Sequence, residues 1–343
     1  MKMTLFSFVS ILLIAIMVVV CHLGDMYLTP YLYIIILWVL FGLNVLNKKS
    51  EATIFSHVTL LSVNFSLVYV ALFYSALNFS LPIWVVIIML SIEFFISGLE
   101  MMACSMKRAV KGGGIRKIHW VFYHVCALLI LFCGLAPTGE KLYLFIGIVT
   151  LLMGILYFAK YSKILLDGQV GNLPNMLTLL RIVLMIPFII CFFIPNFMWA
   201  ALIIFVVASV TDFFDGYLAR KHNLVTNFGK IMDPLADKVL VMAALILFTT
   251  TNLFPMWAII ILLFREVYVT YVRISAAKQG NVIAAGKSGK LKTVIQMVTI
   301  IVLFILPGGV FAWVFVVLTI ILTIYSGLEY MVANRGFLQS EVK

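Results

Sequence analysis

The chain has 343 residues, of which 64% are hydrophobic and only 11% charged, with a mean hydropathy of +1.19. Such a composition cannot clothe a water-soluble domain and excludes one as the main unit. The net charge of +11, in a chain this apolar, suits helix orientation and anionic lipid headgroups, and no nucleic-acid partner is expected.

Apolar runs of about 20 residues recur from 4–23 to 310–332, each long enough to cross about 30 Å of hydrocarbon as a helix. The expected fold is all-α and polytopic, with about twelve transmembrane helices. The first run follows Lys2 and resembles a signal peptide, but Cys21-His22-Leu23-Gly24 is a poor cleavage site and further spans follow, so it reads as an uncleaved helix. Basic residues gather at Lys48 and Lys49, over 107–117, at Lys160 and Lys163, at Arg220 and Lys221, over 278–292 and at Arg335. These clusters alternate with charge-poor loops. Alternation of this kind places every second loop, and both termini, on the cytoplasmic side. The five cysteines (Cys21, Cys104, Cys126, Cys133 and Cys191) form no C-x-x-C pair and read as small buried hydrophobes.

In the first half, 1–162, no motif is recognised. Glu93 and Glu100 share a face of the fourth predicted helix, with His119 and His124 on the fifth. As intramembrane ionisable groups they admit a transport or lipid-handling role, or simply interfacial and intra-bundle hydrogen bonding. The glycines at 112–114 read as flexible linker. At 163–171 charges and two glycines break the apolar rhythm, which makes this segment a connector to a second membrane domain, 172–343. Part of it, with Leu173-Pro174-Asn175, is expected to lie at the interface.

Four aspartates then fall at the ends of two apolar runs, in TDFFDGYLARKHNLVTNFGKIMDPLADK. Asp212 and Asp215 are three apart, Asp233 and Asp237 four apart, so each pair projects from one helical face. Carboxylates gathered in this way repel one another unless cations neutralise them, and hard oxygen donors favour Mg²⁺ or Mn²⁺, which also bridge phosphates. Gly216 and Ala219 leave a bare helix surface for a base or a phosphate, Arg220 offers a guanidinium, and Gly229 lets the chain turn back. The plainer account makes the aspartates helix caps and loop charges paired with Arg220 and Lys238. Further on, Arg265 and Arg273 are eight apart and share a face, with Glu266 beside them and Lys287, Lys290 and Lys292 just beyond. They suit a phosphate-bearing acceptor or, alternatively, positive-inside anchoring.

The pattern Asp212-x2-Asp215-Gly216-x2-Ala219-Arg220-x8-Gly229-x3-Asp233-x3-Asp237 resembles the full signature of the CDP-alcohol phosphotransferase family. Around it, 172–181 (NLPNMLTLLR), 233–238 (DPLADK), Arg265-Glu266 with Arg273, and 286–293 (GKSGKLKT) are similar to the bacterial phosphatidylglycerophosphate synthases. The resemblance covers about 171–343. It implies a six-helix bundle around a polar cavity open to the cytoplasm, in the bacterial cell membrane, commonly as a homodimer, with two Mg²⁺ or Mn²⁺ ions. By the same resemblance Asp212, Asp215 and Asp233 are metal ligands, and Asp237 is the base that deprotonates the acceptor and also a candidate metal contact. Asp212, Gly216, Ala219 and Arg220 would hold the CDP group, with Asn175, Thr178 and Arg181 lining the nucleotide pocket; Arg181 reads equally well as an interfacial anchor. Arg265, Arg273, Lys287 and Lys290 would take the acceptor phosphate. The implied partners are CDP-diacylglycerol, sn-glycerol 3-phosphate and membrane lipids. The alternatives are the same chemistry on another acceptor, as in cardiolipin synthases or inositol-phosphate transferases, or a non-catalytic transporter or scaffold.

Overall fold

The computed structural model describes residues 54–78, 82–105, 138–166, 173–221, 227–279 and 286–340, with isolated positions at 12, 16, 36, 122, 125 and 283. The first predicted span apart from Leu12 and Ile16, the connector residues 167–171, His119, His124, the glycines at 112–114 and the side chain of Glu100 lie outside the described residues. Every described element is a helix. In chain order they are α1 (Ile54–Asn78), α2 (Ile83–Ser105), α3 (Thr138–Leu166), α4 (Leu173–Phe193), α5 (Met198–Lys221), α6 (Asn227–Thr250), α7 (Met256–Lys278), α8 (Lys287–Ile305), α9 (Val310–Ala333) and the short α10 (Arg335–Leu338). Leu173 to Asn175 form the first turn of α4, ahead of the apolar stretch that begins at Met176. Pro174 is tolerated there because its missing N–H would have no intrahelical partner in any case.

Among the described residues four helical stretches are long and apolar enough to cross a membrane: Lys141–Ala159, Met176–Phe193, Lys287–Ile305 and Val310–Ala333. Their outer faces are apolar and exposed, as with Leu180, Val183 and Ile186 on α4 and Val314, Val317 and Ile321 on α9. Helices α6 and α7 differ in both respects. They carry charges along their length, including Asp237, Lys238, Arg265 and Glu266, and are buried almost throughout, as over 240–248 on α6. Ionisable side chains are tolerated within a bundle where protein rather than lipid surrounds them.

Helices α4 to α9 form an up-and-down bundle whose two ends are chemically distinct. The connections at one end are uncharged, and each turns through a left-handed residue: Asn196 (φ 69°) after α4, Asn252 (φ 58°) after α6 and Gly308 (φ 78°) after α8. Asparagine and glycine are the residues that adopt this conformation at low cost. An aromatic cluster fills the same half, where Phe248 and Phe304 lie 4.8 Å apart and Phe192 and Phe248 5.4 Å apart in T-shaped pairs. Hydrogen bonds between hydroxyls join α8 to α9, as in Thr299 to Thr319 at 2.7 Å. The opposite half collects the ends of α5, α7 and α9 with the beginnings of α4, α6 and α8, and there the charged residues gather.

The described part of the first half packs directly on the helices that carry those charges: α1 against α7, and α2 against both α6 and α7. The backbone N–H of Ile54 donates to Ser340 O at 2.9 Å, which ties the start of α1 to the C-terminal segment. Helix α3 lies outside α2 by means of two glycines seven apart. A Cβ at Gly147 would come within 2.8 Å of Val85 Cγ1, and one at Gly154 within 2.9 Å of Ile92 Cγ2. Gly154→Leu is therefore expected to destabilise the detergent-solubilised protein by about 1–3 kcal/mol, the usual cost of overpacking a tight contact. The check is the thermal midpoint followed by tryptophan fluorescence, and an unchanged midpoint would mean that α2 and α3 do not pack through this stripe.

Candidate active site

Asp212, Asp215, Gly216, Ala219 and Arg220 lie in the final turns of α5, and Asp233 and Asp237 in the opening turns of α6, joined only by 222–226. The aspartate pairs thus sit at the same end of adjacent helices. The side chains of Asp212, Asp215, Ala219, Arg220 and Asp233, and Gly216 and Gly229, lie outside the described residues, whereas that of Asp237 is within them. Its Oδ1 accepts a hydrogen bond from Arg181 NH1 at 2.6 Å, while Arg181 Nε donates to Ala208 O at 3.2 Å. Arg181 is 1% exposed, so it is no interfacial anchor: it clamps α4 to α5 and α6 and orients the Asp237 carboxylate. Thr178, one turn earlier, is also buried, and the side chain of Asn175 lies outside the described residues.

Among the described side chains no group of three metal-ligating residues gathers. The donor chemistry nevertheless fits a divalent cation, because the four aspartates stand on two helices joined by a short link and carboxylates are hard oxygen donors. The Arg181 bond fixes one of these carboxylates in a single orientation, which favours pre-organised binding.

A second centre surrounds Glu266 on α7. Its Oε2 is 3.3 Å from Lys238 Nζ of α6, and its Oε1 accepts from Arg265 NH1 at 3.1 Å and from Lys292 Nζ of α8. Lys238 Nζ also donates to Thr270 Oγ1 at 2.9 Å. The fold gathers three cationic partners around Glu266, from three helices.

Beside this centre opens a cavity of about 370 Å³, walled by Arg265 and Arg273 of α7, Gly286, Ser288 and Gly289 at the start of α8, and Glu329, Tyr330 and Asn334 at the end of α9, so that two guanidinium groups outnumber one carboxylate in its wall. The Arg273 guanidinium carbon lies 6.0 Å from the Tyr330 ring centroid. Arg265 Nε and Arg273 Nε are buried and have no hydrogen-bond partner among the described residues. Two glycines accommodate Arg265: a Cβ at Gly289 would stand 3.3 Å from its NH2, and one at Gly327 3.3 Å from its Cγ. Guanidinium groups that share a cavity wall with a helix N-terminus can supply an anion with donors from both.

Of the residues expected at a phosphate, Arg265 and Arg273 line this cavity. Lys287 and Lys290 are exposed on the first turn of α8 and are not part of its wall, and Lys292 is taken up by Glu266. The contributions of α8 backbone and of Tyr330 and Asn334 are additional. The glycines of 286–289 before an apolar run carry a signal for the former. Nothing in the sequence of α9, which reads as an apolar span, marks the latter.

A family model described as CDP-alcohol phosphatidyltransferase matches residues 171–325. The chain is 42% identical over 184 residues to a Bacillus subtilis protein named CDP-diacylglycerol--glycerol-3-phosphate 3-phosphatidyltransferase, covering 48% of this chain and 95% of that protein. It therefore belongs to the CDP-alcohol phosphatidyltransferase family. Two further relatives are a probable phosphatidylglycerophosphate synthase of Mycobacterium tuberculosis, 39% identical over 48% of this chain and 82% of the relative, and a Salmonella typhimurium protein with the same name as the Bacillus one, 36% identical over 48% and 96%. With nearly all of the Bacillus and Salmonella proteins used in the match, little of either is left to correspond to the other half of this chain.

Proposed function

We propose that the chain transfers the phosphatidyl group of CDP-diacylglycerol to sn-glycerol 3-phosphate, giving phosphatidylglycerophosphate and CMP. The observation that carries this reading is the cavity at the charged end of the bundle, where the side chains of Arg265 and Arg273 share a wall with the N-terminus of α8. That is a receptor for a small phosphate-bearing molecule, next to the helices of the aspartate motif. The names borne by the relatives agree with it.

The acceptor phosphate rests on Arg265 and Arg273, which turns the terminal one of the two glycerol hydroxyls toward α5 and α6. Asp237, oriented by Arg181, takes the hydroxyl proton as the oxygen forms its bond to the β-phosphorus. The bond between that phosphorus and the bridging oxygen breaks, and CMP leaves. Gly216, Ala219 and Arg220, with Asp212, Asn175, Thr178 and Arg181, hold the CDP group. Two Mg²⁺ or Mn²⁺ ions on Asp212, Asp215 and Asp233, with Asp237 in reach of the second, would offset charge developing on the diphosphate.

The same reading has about twelve spans, with 1–162 as an added membrane domain and 172–343 as the transferase. Its active end and both termini are cytoplasmic in the bacterial cell membrane, and the assembly is a homodimer. What supports the orientation is the uncharged character of the opposite turns.

The test is CMP release by purified protein in detergent with CDP-diacylglycerol, Mg²⁺ and one acceptor at a time. Release is expected with glycerol 3-phosphate and not with phosphatidylglycerol or inositol phosphate. Faster release with either of the others would reassign the acceptor, and release with none would remove the reading.

A further inference from the structure

Glu266 is 2% exposed and has no part in the transfer steps above, yet it holds three cations. One carboxylate among Lys238, Arg265 and Lys292 leaves this buried cluster with an excess of two positive charges. A cluster serving stability alone would be better replaced by apolar side chains, since burying unbalanced charge is costly. The three partners also differ in where they lead. Lys238 follows Asp237 on α6 and is held further by Thr270 Oγ1. Lys292 anchors α8, whose first turn walls the cavity. Arg265 alone enters the cavity: Glu266 takes its NH1, while Nε has no hydrogen-bond partner among the described residues and NH2 lies beside Gly289. The NH2 group, away from the Glu266 bond and beside Gly289 of the cavity wall, is therefore the part of the guanidinium placed nearest a ligand. A phosphate monoester near neutral pH carries between one and two negative charges, which offsets the excess that Glu266 leaves.

We propose that Glu266 is the positioning residue of the acceptor site: by holding NH1 it turns the NH2 group of Arg265 toward the acceptor phosphate and fixes the guanidinium relative to the helix bearing Asp237. It acts through Arg265 and Lys238 and touches neither substrate. The inference rests on the function proposed above.

The experiment measures the Michaelis constants for glycerol 3-phosphate and for CDP-diacylglycerol separately, together with the thermal midpoint, in the full-length protein. Glu266→Gln is expected to raise the acceptor constant by about tenfold to a hundredfold, as for a lost charge-assisted hydrogen bond, and to move the CDP-diacylglycerol constant by less than about threefold. It also leaves the cations without their carboxylate, which lowers the midpoint. Glu266→Gln combined with Lys292→Met removes one of those cations and is expected to recover the midpoint while the acceptor constant stays high. If the double variant regains both, Glu266 is structural only and the proposal falls. It falls as well if wild-type protein responds to glycerol 3-phosphate but Glu266→Gln leaves the acceptor constant unchanged. Wild-type protein that releases no CMP with glycerol 3-phosphate removes the function reading and this proposal together.

Discussion

Asp237→Asn is expected to lower CMP release by about 10²–10⁴-fold, the usual contribution of a positioned general base. The substitution keeps the size of the side chain and the capacity of its oxygen to accept from Arg181 NH1, but removes the charge that takes the proton. It also removes a charge paired with a fully buried guanidinium, which costs up to about 3–5 kcal/mol in comparable buried pairs. Loss of activity alone would therefore be ambiguous. Arg181→Met with Asp237→Asn removes both members of the pair and is expected to recover much of the stability while remaining inactive. The readouts are initial rates of CMP release and the thermal midpoint in detergent. Asp237→Asn protein that turns over at near the wild-type rate would show that the proton goes elsewhere.

The second large effect belongs to Arg273. Arg273→Ala is expected to raise the Michaelis constant for glycerol 3-phosphate by about tenfold to a hundredfold, the worth of a charge-assisted hydrogen bond to phosphate, with little change in that for CDP-diacylglycerol. Arg273→Lys retains the charge but neither the planar fork nor its stacking on the Tyr330 ring, so it should restore only part of the affinity. Arg273 is not among the three cations paired with Glu266, so its removal breaks none of those ion pairs directly. Steady-state kinetics with each substrate varied in turn provide the measurement. An unchanged acceptor constant would move the phosphate away from this cavity.

What the sequence discloses, and what it conceals, follows from the solvent in which this chain folds. Charges within apolar runs are conspicuous because hydrocarbon cannot solvate them, so the aspartate pairs and Arg265 with Arg273 stand out from the residue order by itself. The division of the bundle into an uncharged and a charged end is legible in the loops for the same reason. Burial is a different matter. Lipid tails are as apolar as leucine, so the exposed face of α9 and the buried length of α6 look alike as composition. Nothing in the apolar runs of α1 and α2 therefore discloses that they cover α6 and α7 instead of lying apart from them. Long-range pairing is equally hidden. Arg181 and Asp237 are 56 residues apart, and helical periodicity assigns each a face without naming the partner opposite. Glu266 is visible as a charge beside Arg265, but its bonds to Lys238 and Lys292 exist only once three helices meet. Tyr330 and Asn334 carry no sequence signal, since a single tyrosine or asparagine at the end of an apolar helix ordinarily marks the membrane interface.

The most direct test of phosphatidyl transfer follows the acceptor itself. With ³²P-labelled sn-glycerol 3-phosphate and unlabelled CDP-diacylglycerol, label is expected in the lipid fraction in equal proportion to the CMP formed. CMP formed without label entering lipid, as in plain hydrolysis of the CDP-lipid, would contradict it.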